Sequence, residues 1–313
     1  MLVISCVLSG CASLGLDLAY DVDSSNNAYK ISSAADMDSV IKPFAQNLCV
    51  SDNDLNLLDV TINEAEAAGL FDATSAETLY AKNIHKRMNP ASLTKVMTAY
   101  IALKYGHLDD TLTASSNVLI TESGAQLLGI KEGDKLTLEQ ALYALLLYSA
   151  NDAAVMIAEY LSGSCESFGK VMNDEAKKLG ATNSNFVNPH GLTDEEHYTT
   201  VYDLYLIFNA AMQYEEFRKI INQTEYKSTY KDREGNPKNI EINTTNGYLK
   251  GDYTAPENLT IIGGKTGTTK AAGSCLILLT NSTNGHTYIS VVLHSEDHET
   301  LYNNMSSLLQ DIH

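Results

Sequence analysis

The sequence predicts an α+β fold: an antiparallel sheet flanked by helices, with a mainly helical lobe inserted between its strands. Three observations predict it. Short β-period segments lie near the start of the folded part, at residues 65–71 and 77–80. A block of helix-period segments fills the middle. Strand-like runs then return at 261–265, 273–280 and 287–294, before a closing helix. At 313 residues the chain is long enough to bury a sizeable core.

The elements follow in order. The turn at 72–76 separates the first two strands. Pro90 disfavours helix in the residue before it and commonly sits near a helix start. From Leu93 the apolar residues Val96, Met97, Tyr100 and Ile101 keep helical spacing, and Gly106 is a natural stop. Residues 111–136 are turn-rich. Leu138, Ala141, Leu142, Leu145 and Leu146 make a helix apolar over most of its circumference, so it should be buried. Helices are also expected over 153–161, 168–179, 201–212 and 299–312. Residues 225–243 alternate around Glu234-Gly235-Asn236-Pro237, a polar hairpin turn.

Composition limits the partners. The formal charge is −18 and is spread along the chain, which argues against nucleic-acid binding. Five cysteines show no metal-ligand spacing. Cys275 falls in an apolar run and reads as a buried thiol. Residues 1–45 read as an export segment and flexible tether, and 46–313 as one catalytic domain. Leu8-Ser9-Gly10-Cys11 resembles a lipoprotein processing box, which makes Cys11 a lipidation candidate. The preceding apolar run is too short to span a bilayer. No Lys or Arg precedes Lys30, so the start of such a signal is expected upstream of Met1. Membrane attachment would depend on this N-terminal segment.

Three short patterns carry the chemistry. Ser92 and Lys95 lie three apart at a helix start, so their side chains share a face, and the helix dipole favours negative charge there. A hydroxyl with an amine in reach is a nucleophile–base candidate. The same spacing occurs at Ser39/Lys42, Ser167/Lys170 and Ser228/Lys231, so it does not single out one pair. Ser149-Ala150-Asn151 stands between two predicted helices, where its polar side chains would either cap a helix or reach into a site. Lys265-Thr266-Gly267-Thr268 ends a predicted strand. There Lys265 and Thr266 can hold an anion, Gly267 admits close backbone approach, and the Thr268 N–H can face a reacting carbonyl oxygen.

Ser-x-x-Lys, Ser-x-Asn and Lys-Thr-Gly in that order resemble the signature of penicillin-binding proteins and serine β-lactamases. Within that superfamily the chain is most similar to the D-alanyl-D-alanine carboxypeptidases. Residues 79–83, 90–98, 131–137, 186–192, 197–200 and 264–276 carry the likeness. The resemblance implies a β-lactamase/transpeptidase-like fold and a Ser92 acyl-enzyme formed with Lys95 as base. It implies that Ser149 relays a proton, Asn151 positions the substrate amide, and Lys265, Thr266 and Thr268 hold the terminal carboxylate. The implied substrate is a peptidoglycan pentapeptide ending in D-Ala-D-Ala, with β-lactams as mimics and no metal or organic cofactor. His190 and His197 are expected to be structural. Glu195 and Glu196 lack the Glu-x-x-x-Asn pattern of class A β-lactamases, which favours the carboxypeptidase. A β-lactamase or D,D-endopeptidase on the same site, or a non-enzymatic peptidoglycan-binding surface lipoprotein, are the alternatives.

Overall fold

The structure, a computed structural model, describes residues 47–58, 60–310 and 312. The predicted export segment, its Cys11 and the Ser39/Lys42 pair lie outside the described residues.

Strands β1 (Leu55–Asn56), β2 (Ala65–Asp72) and β3 (Glu77–Lys82) open the fold. Strands β8 (Leu259–Thr269), β9 (Gly273–Ser282) and β10 (Thr287–Ser295) close it. They make one antiparallel sheet in the order β1-β3-β2-β10-β9-β8, so the two chain ends meet where β2 pairs with β10. Period-2 alternation gives the sheet two buried faces. Ile277, Leu279, Ile289 and Val291 face the inserted lobe, whereas Leu276, Leu278 and Val292 face the last helix, residues His298–Gln310. That helix buries Leu301, Met305, Leu308 and Leu309 against them.

The lobe between β3 and β8 is built around helix α1 (Thr94–Tyr105), which continues a short 3-10 turn over Ala91–Leu93. The sequence suggested one apolar face. In the fold every residue from Thr94 to Ala102 is buried, because helices α2 (Leu138–Leu146), α3 (Asn151–Ser162), α4 (Cys165–Lys178) and α5 (Val201–Ala211) pack around it. Gly106 does end α1, but with φ −98 rather than in a left-handed cap. Glycine is needed there for space, since a Cβ would lie 2.4 Å from Leu138 Cδ2.

Two features differ from the expectation. The turn-rich stretch 111–136 contains strands β4 (Thr111–Thr113) and β5 (Lys135–Thr137), which join the hairpin β6 (Glu225–Lys231) and β7 (Pro237–Asn243) in a second, four-stranded sheet. Three-residue strands carry too little periodicity to register in the sequence. The strand expected at 261–265 extends to Thr269. Its polar residues and glycines hide a strand pattern that pairing with β9 sustains, Thr268 opposite Ser274. Cys49, Cys165 and Cys275 are free thiols, and Cys275 is fully buried.

Candidate active site

Ser92 sits in the turn that leads into α1, and its position depends on the residue before it. Ala91 has φ 46, in the left-handed region that costs an L-residue about 1–2 kcal/mol. The Ala91 carbonyl accepts the Thr94 hydroxyl proton at 2.8 Å. Thr94 Oγ1 in turn lies 2.8 Å from His197 Nε2, and His197 Nδ1 accepts from the Val187 N–H at 3.1 Å. An accepting Nδ1 leaves the proton on Nε2, so His197 is a neutral donor to Thr94. Burial pushes its pKa down to about 4, consistent with that state. Gly191 completes the support. It has φ +85, and a Cβ there would lie 1.8 Å from the Ala91 oxygen. No side chain fits between the two segments.

Lys95 follows one turn later, fully buried. Its Nζ contacts Ser92 Oγ at 2.8 Å, Asn151 Oδ1 at 2.6 Å and the His190 carbonyl at 2.7 Å. Burial holds its pKa well below the usual lysine range, the Lys265 charge lowers it further, and Asp152 opposes them. No carboxylate touches the amine, so its neutral form is favoured. The two other described Ser-x-x-Lys pairs have no such setting: Lys170 pairs with exposed Glu166, and Ser228, on β6, accepts from Gln140 of α2.

Ser149, like Ala91, is in a left-handed conformation, with φ 68. It lies just beyond α2, at a position where glycine is usual, and the Ala150 N–H closes the turn onto the Ala144 carbonyl at 2.9 Å. The capping alternative does not hold. Ala150 is the N-cap of α3, and no side chain caps that helix. The Ser149 hydroxyl instead accepts from Lys265 Nζ at 2.9 Å. Asn151 spends its Oδ1 on Lys95 and lines the cleft. Such strain at a polar residue is characteristic of functional positions.

Lys265 is buried on β8, and burial brings its pKa down to about 7. Gly267 packs against the Ser92 turn, where a Cβ would stand 2.9 Å from the Ser92 nitrogen. Thr268 is exposed at the cleft. The Thr266 hydroxyl is turned to Thr245, 2.6 Å away, and Thr266 does not line the cleft. The cleft has a volume of about 310 Å³ and runs from Ser92 past Asn151 and Thr268 to Lys270, with the loop around Glu122 as its other wall. Asp152 anchors the segment that follows that wall. Its buried carboxylate accepts from the backbone N–H groups of Leu128, Gly129 and Ile130 at 3.0, 2.8 and 3.0 Å. The Asn151 N–H holds the Gln126 carbonyl at 2.8 Å. Glu195 and Glu196 are exposed and do not line the cleft.

The fold thus brings Ser92, Lys95, Ser149, Asn151, Lys265, Gly267 and Thr268 together, whereas the Thr266 hydroxyl, expected on the carboxylate, is turned to Thr245. Sequence reasoning missed the His190 carbonyl on Lys95, the Thr94–His197 support, Thr245 and the Asp152 clamp. Only the adjacency of Asp152 to Asn151 and the segments around His190 and His197 offered a signal. Among the described residues no group of His, Cys, Asp and Glu could hold a metal ion.

A serine–lysine pair at the start of a central helix, beside an edge strand of an antiparallel sheet, defines the serine-type penicillin-binding class. The comparisons agree. The crystal structure of the Streptomyces K15 DD-transpeptidase superposes with a TM-score of 0.73 at 28% identity, covering 80% of this chain and 98% of that one. The family model for D-alanyl-D-alanine carboxypeptidase matches residues 56–297, and the chain belongs to that family. D-alanyl-D-alanine carboxypeptidase DacF of Bacillus subtilis is 34% identical over 219 residues, 68% of this chain and 53% of the relative. DacC of Escherichia coli is 32% identical over 256 residues, 79% of this chain and 60% of the relative. The chain therefore spans little more than half the length of these relatives.

Proposed function

We propose that the protein is a serine-type D-Ala-D-Ala carboxypeptidase that removes the terminal D-Ala from peptidoglycan stem peptides through an acyl-enzyme on Ser92. The observation that carries this reading is the buried Lys95 amine 2.8 Å from Ser92 Oγ, with its pKa held low. Neutral Lys95 takes the Ser92 proton as Oγ attacks the carbonyl of the penultimate D-Ala. The oxyanion is stabilised by the Ser92 and Thr268 backbone N–H groups. Asn151 Nδ2, left over from the Lys95 contact, positions the substrate amide. Ser149 passes a proton to the leaving amine, and D-Ala departs. Water then attacks the ester, returns the proton to Ser92 and releases the shortened peptide. Lys265 and Thr268 hold the terminal carboxylate, with Thr266 acting through its Thr245 contact to fix the strand.

β-Lactams, as mimics of D-Ala-D-Ala, acylate the same serine. The position of Glu195 and Glu196 outside the cleft supports a peptidase over a β-lactamase, since no carboxylate among them is placed to activate a deacylating water. The transpeptidase name of the structural relative supports a second reading, in which an amine replaces water as acyl acceptor. We further propose that the protein is exported and acts outside the cytoplasmic membrane, tethered through Cys11. Among the described residues no helix is long and apolar enough to cross a membrane.

Mass spectrometry after exposure to penicillin and to a D-Ala-D-Ala pentapeptide tests the proposal. The expected products are a penicilloyl adduct on Ser92 and free D-Ala, both lost in Ser92→Ala. Labelling of Ser92→Ala at another single residue would overturn the assignment. An added amine that appears in the peptide product selects the transpeptidase reading. Mass spectrometry of the mature N-terminus checks Cys11.

A further inference from the structure

The cleft reaches well beyond the bond to be cut. With the terminal carboxylate at Lys265, the rest of the peptide must run the other way along β8, toward Lys270. Lys270 follows the end of β8 at Thr269, five positions and roughly 16 Å along from Lys265. The cleft follows this direction, since Thr268, Thr269 and Lys270 line it and Lys265 does not. Its far end therefore receives the residues upstream of D-Ala-D-Ala.

Two opposite charges stand there. Glu122 belongs to the loop wall and Lys270 to the strand wall, and both side chains are exposed to the cleft. Neither makes an ion pair or a side-chain hydrogen bond among the described residues. In a chain with many surface ion pairs, two unspent charges facing one cleft are available to a ligand. The loop is also anchored just beyond Glu122, by the Gln126 carbonyl on the Asn151 N–H and by the Asp152 bonds to 128–130. The Ala125 N–H bonds the Glu122 carbonyl at 3.2 Å, which ties the Glu122 backbone to that anchored segment.

We infer that this upstream subsite selects a stem peptide whose residue before the two D-alanines ends its side chain in both an ammonium and a carboxylate. Glu122 accepts from the ammonium, and Lys270 donates to the carboxylate. A lysine side chain satisfies Glu122 alone, and an acylated side chain satisfies neither. The inference rests on the carboxypeptidase reading above and adds the substrate's third residue to it.

The test uses three pentapeptides that differ only at that residue: diaminopimelate, lysine and N-acetyllysine. The expected kcat/KM for D-Ala release falls roughly fivefold at each step, the scale of one solvent-exposed ion pair. Lys270→Gln is expected to erase the difference between diaminopimelate and lysine, and Glu122→Gln the difference between lysine and acetyllysine. Equal values for the three peptides, or ratios unmoved in the variants, overturn the inference. Benzylpenicillin acylation of the wild type, measured on the same preparation, separates the two levels. Acylation and D-Ala release without preference overturn this inference alone. Absence of both overturns the proposed function and this subsite with it.

Discussion

Lys265 and Ser149 are 116 positions apart in the chain, yet Lys265 Nζ donates to Ser149 Oγ at 2.9 Å. The bond ties β8 to the turn between α2 and α3. It also places two buried lysines, Lys95 and Lys265, close enough for the second to depress the pKa of the first.

That pairing sets the pH dependence. Lys95 serves as base only when neutral, so kcat/KM should rise as pH rises through its depressed pKa. Lys265 holds a carboxylate only when charged, and burial brings its pKa to about 7, so kcat/KM should fall above that pH. The expected profile is a bell. A peptide with a C-terminal amide, which needs no cation at that end, should lose the falling limb. A falling limb that survives in the amide removes Lys265 from this role.

His197 should govern acid stability rather than chemistry. Its folded pKa, about 4, lies below the unfolded value of about 6.5. The unfolded state therefore binds the proton first as pH falls, and stability is lost between about 6.5 and 4, by roughly 3 kcal/mol from this residue. Urea melts across that range should show the loss in the wild type and a shallower slope in His197→Ala. That variant is expected to start less stable while keeping its rising pH limb for acylation. Disappearance of the limb would make His197 the base.

Gly191→Ala should cripple the nucleophile. The substitution adds the backbone cost of a left-handed alanine, about 1–2 kcal/mol, to a Cβ placed 1.8 Å from the Ala91 oxygen. Gly180→Ala is the control: its φ is +83, but its Cβ would meet only Leu206 Cδ1 at 3.7 Å. Both should lose stability, and only Gly191→Ala should also lose labelling by a fluorescent penicillin. Equal labelling of the two would show that the Ala91–Gly191 contact does not set Ser92.

Asp152→Asn should separate a clamp from a charge. An amide keeps the shape but cannot accept at both ends, so the loop over 128–130 loosens and KM is expected to rise. The lost charge also matters, because Asp152 raises the Lys95 pKa. The rising limb of the pH profile should therefore move to lower pH, which loosening alone would not produce. An unmoved limb confines Asp152 to the wall.

The order of strands, helices and returning strands was legible because core-facing residues keep their periods, as Leu276 to Leu279 and Val291–Val292 do on the two faces of the sheet. Strands β4 and β5 were not, since three residues hold no pattern and only pairing defines them. At the site, the three motifs and their order marked Ser92, Ser149 and Lys265. The parts made by backbone were hidden. The His190 carbonyl, the left-handed Ala91 and Ser149, and the Asp152 bonds to Leu128, Gly129 and Ile130 depend on main-chain atoms that every residue type carries.

The sequence by itself determined which residue types are present, their order, and membership of a serine–lysine superfamily, because hydroxyl, amine and amide chemistry is written in side chains. Tertiary structure decided what sets the marked pair apart from the other described Ser-x-x-Lys pairs. Ser92 and Lys95 differ from the exposed pairs through burial, which depresses an amine's pKa only when other segments of the chain exclude water from it.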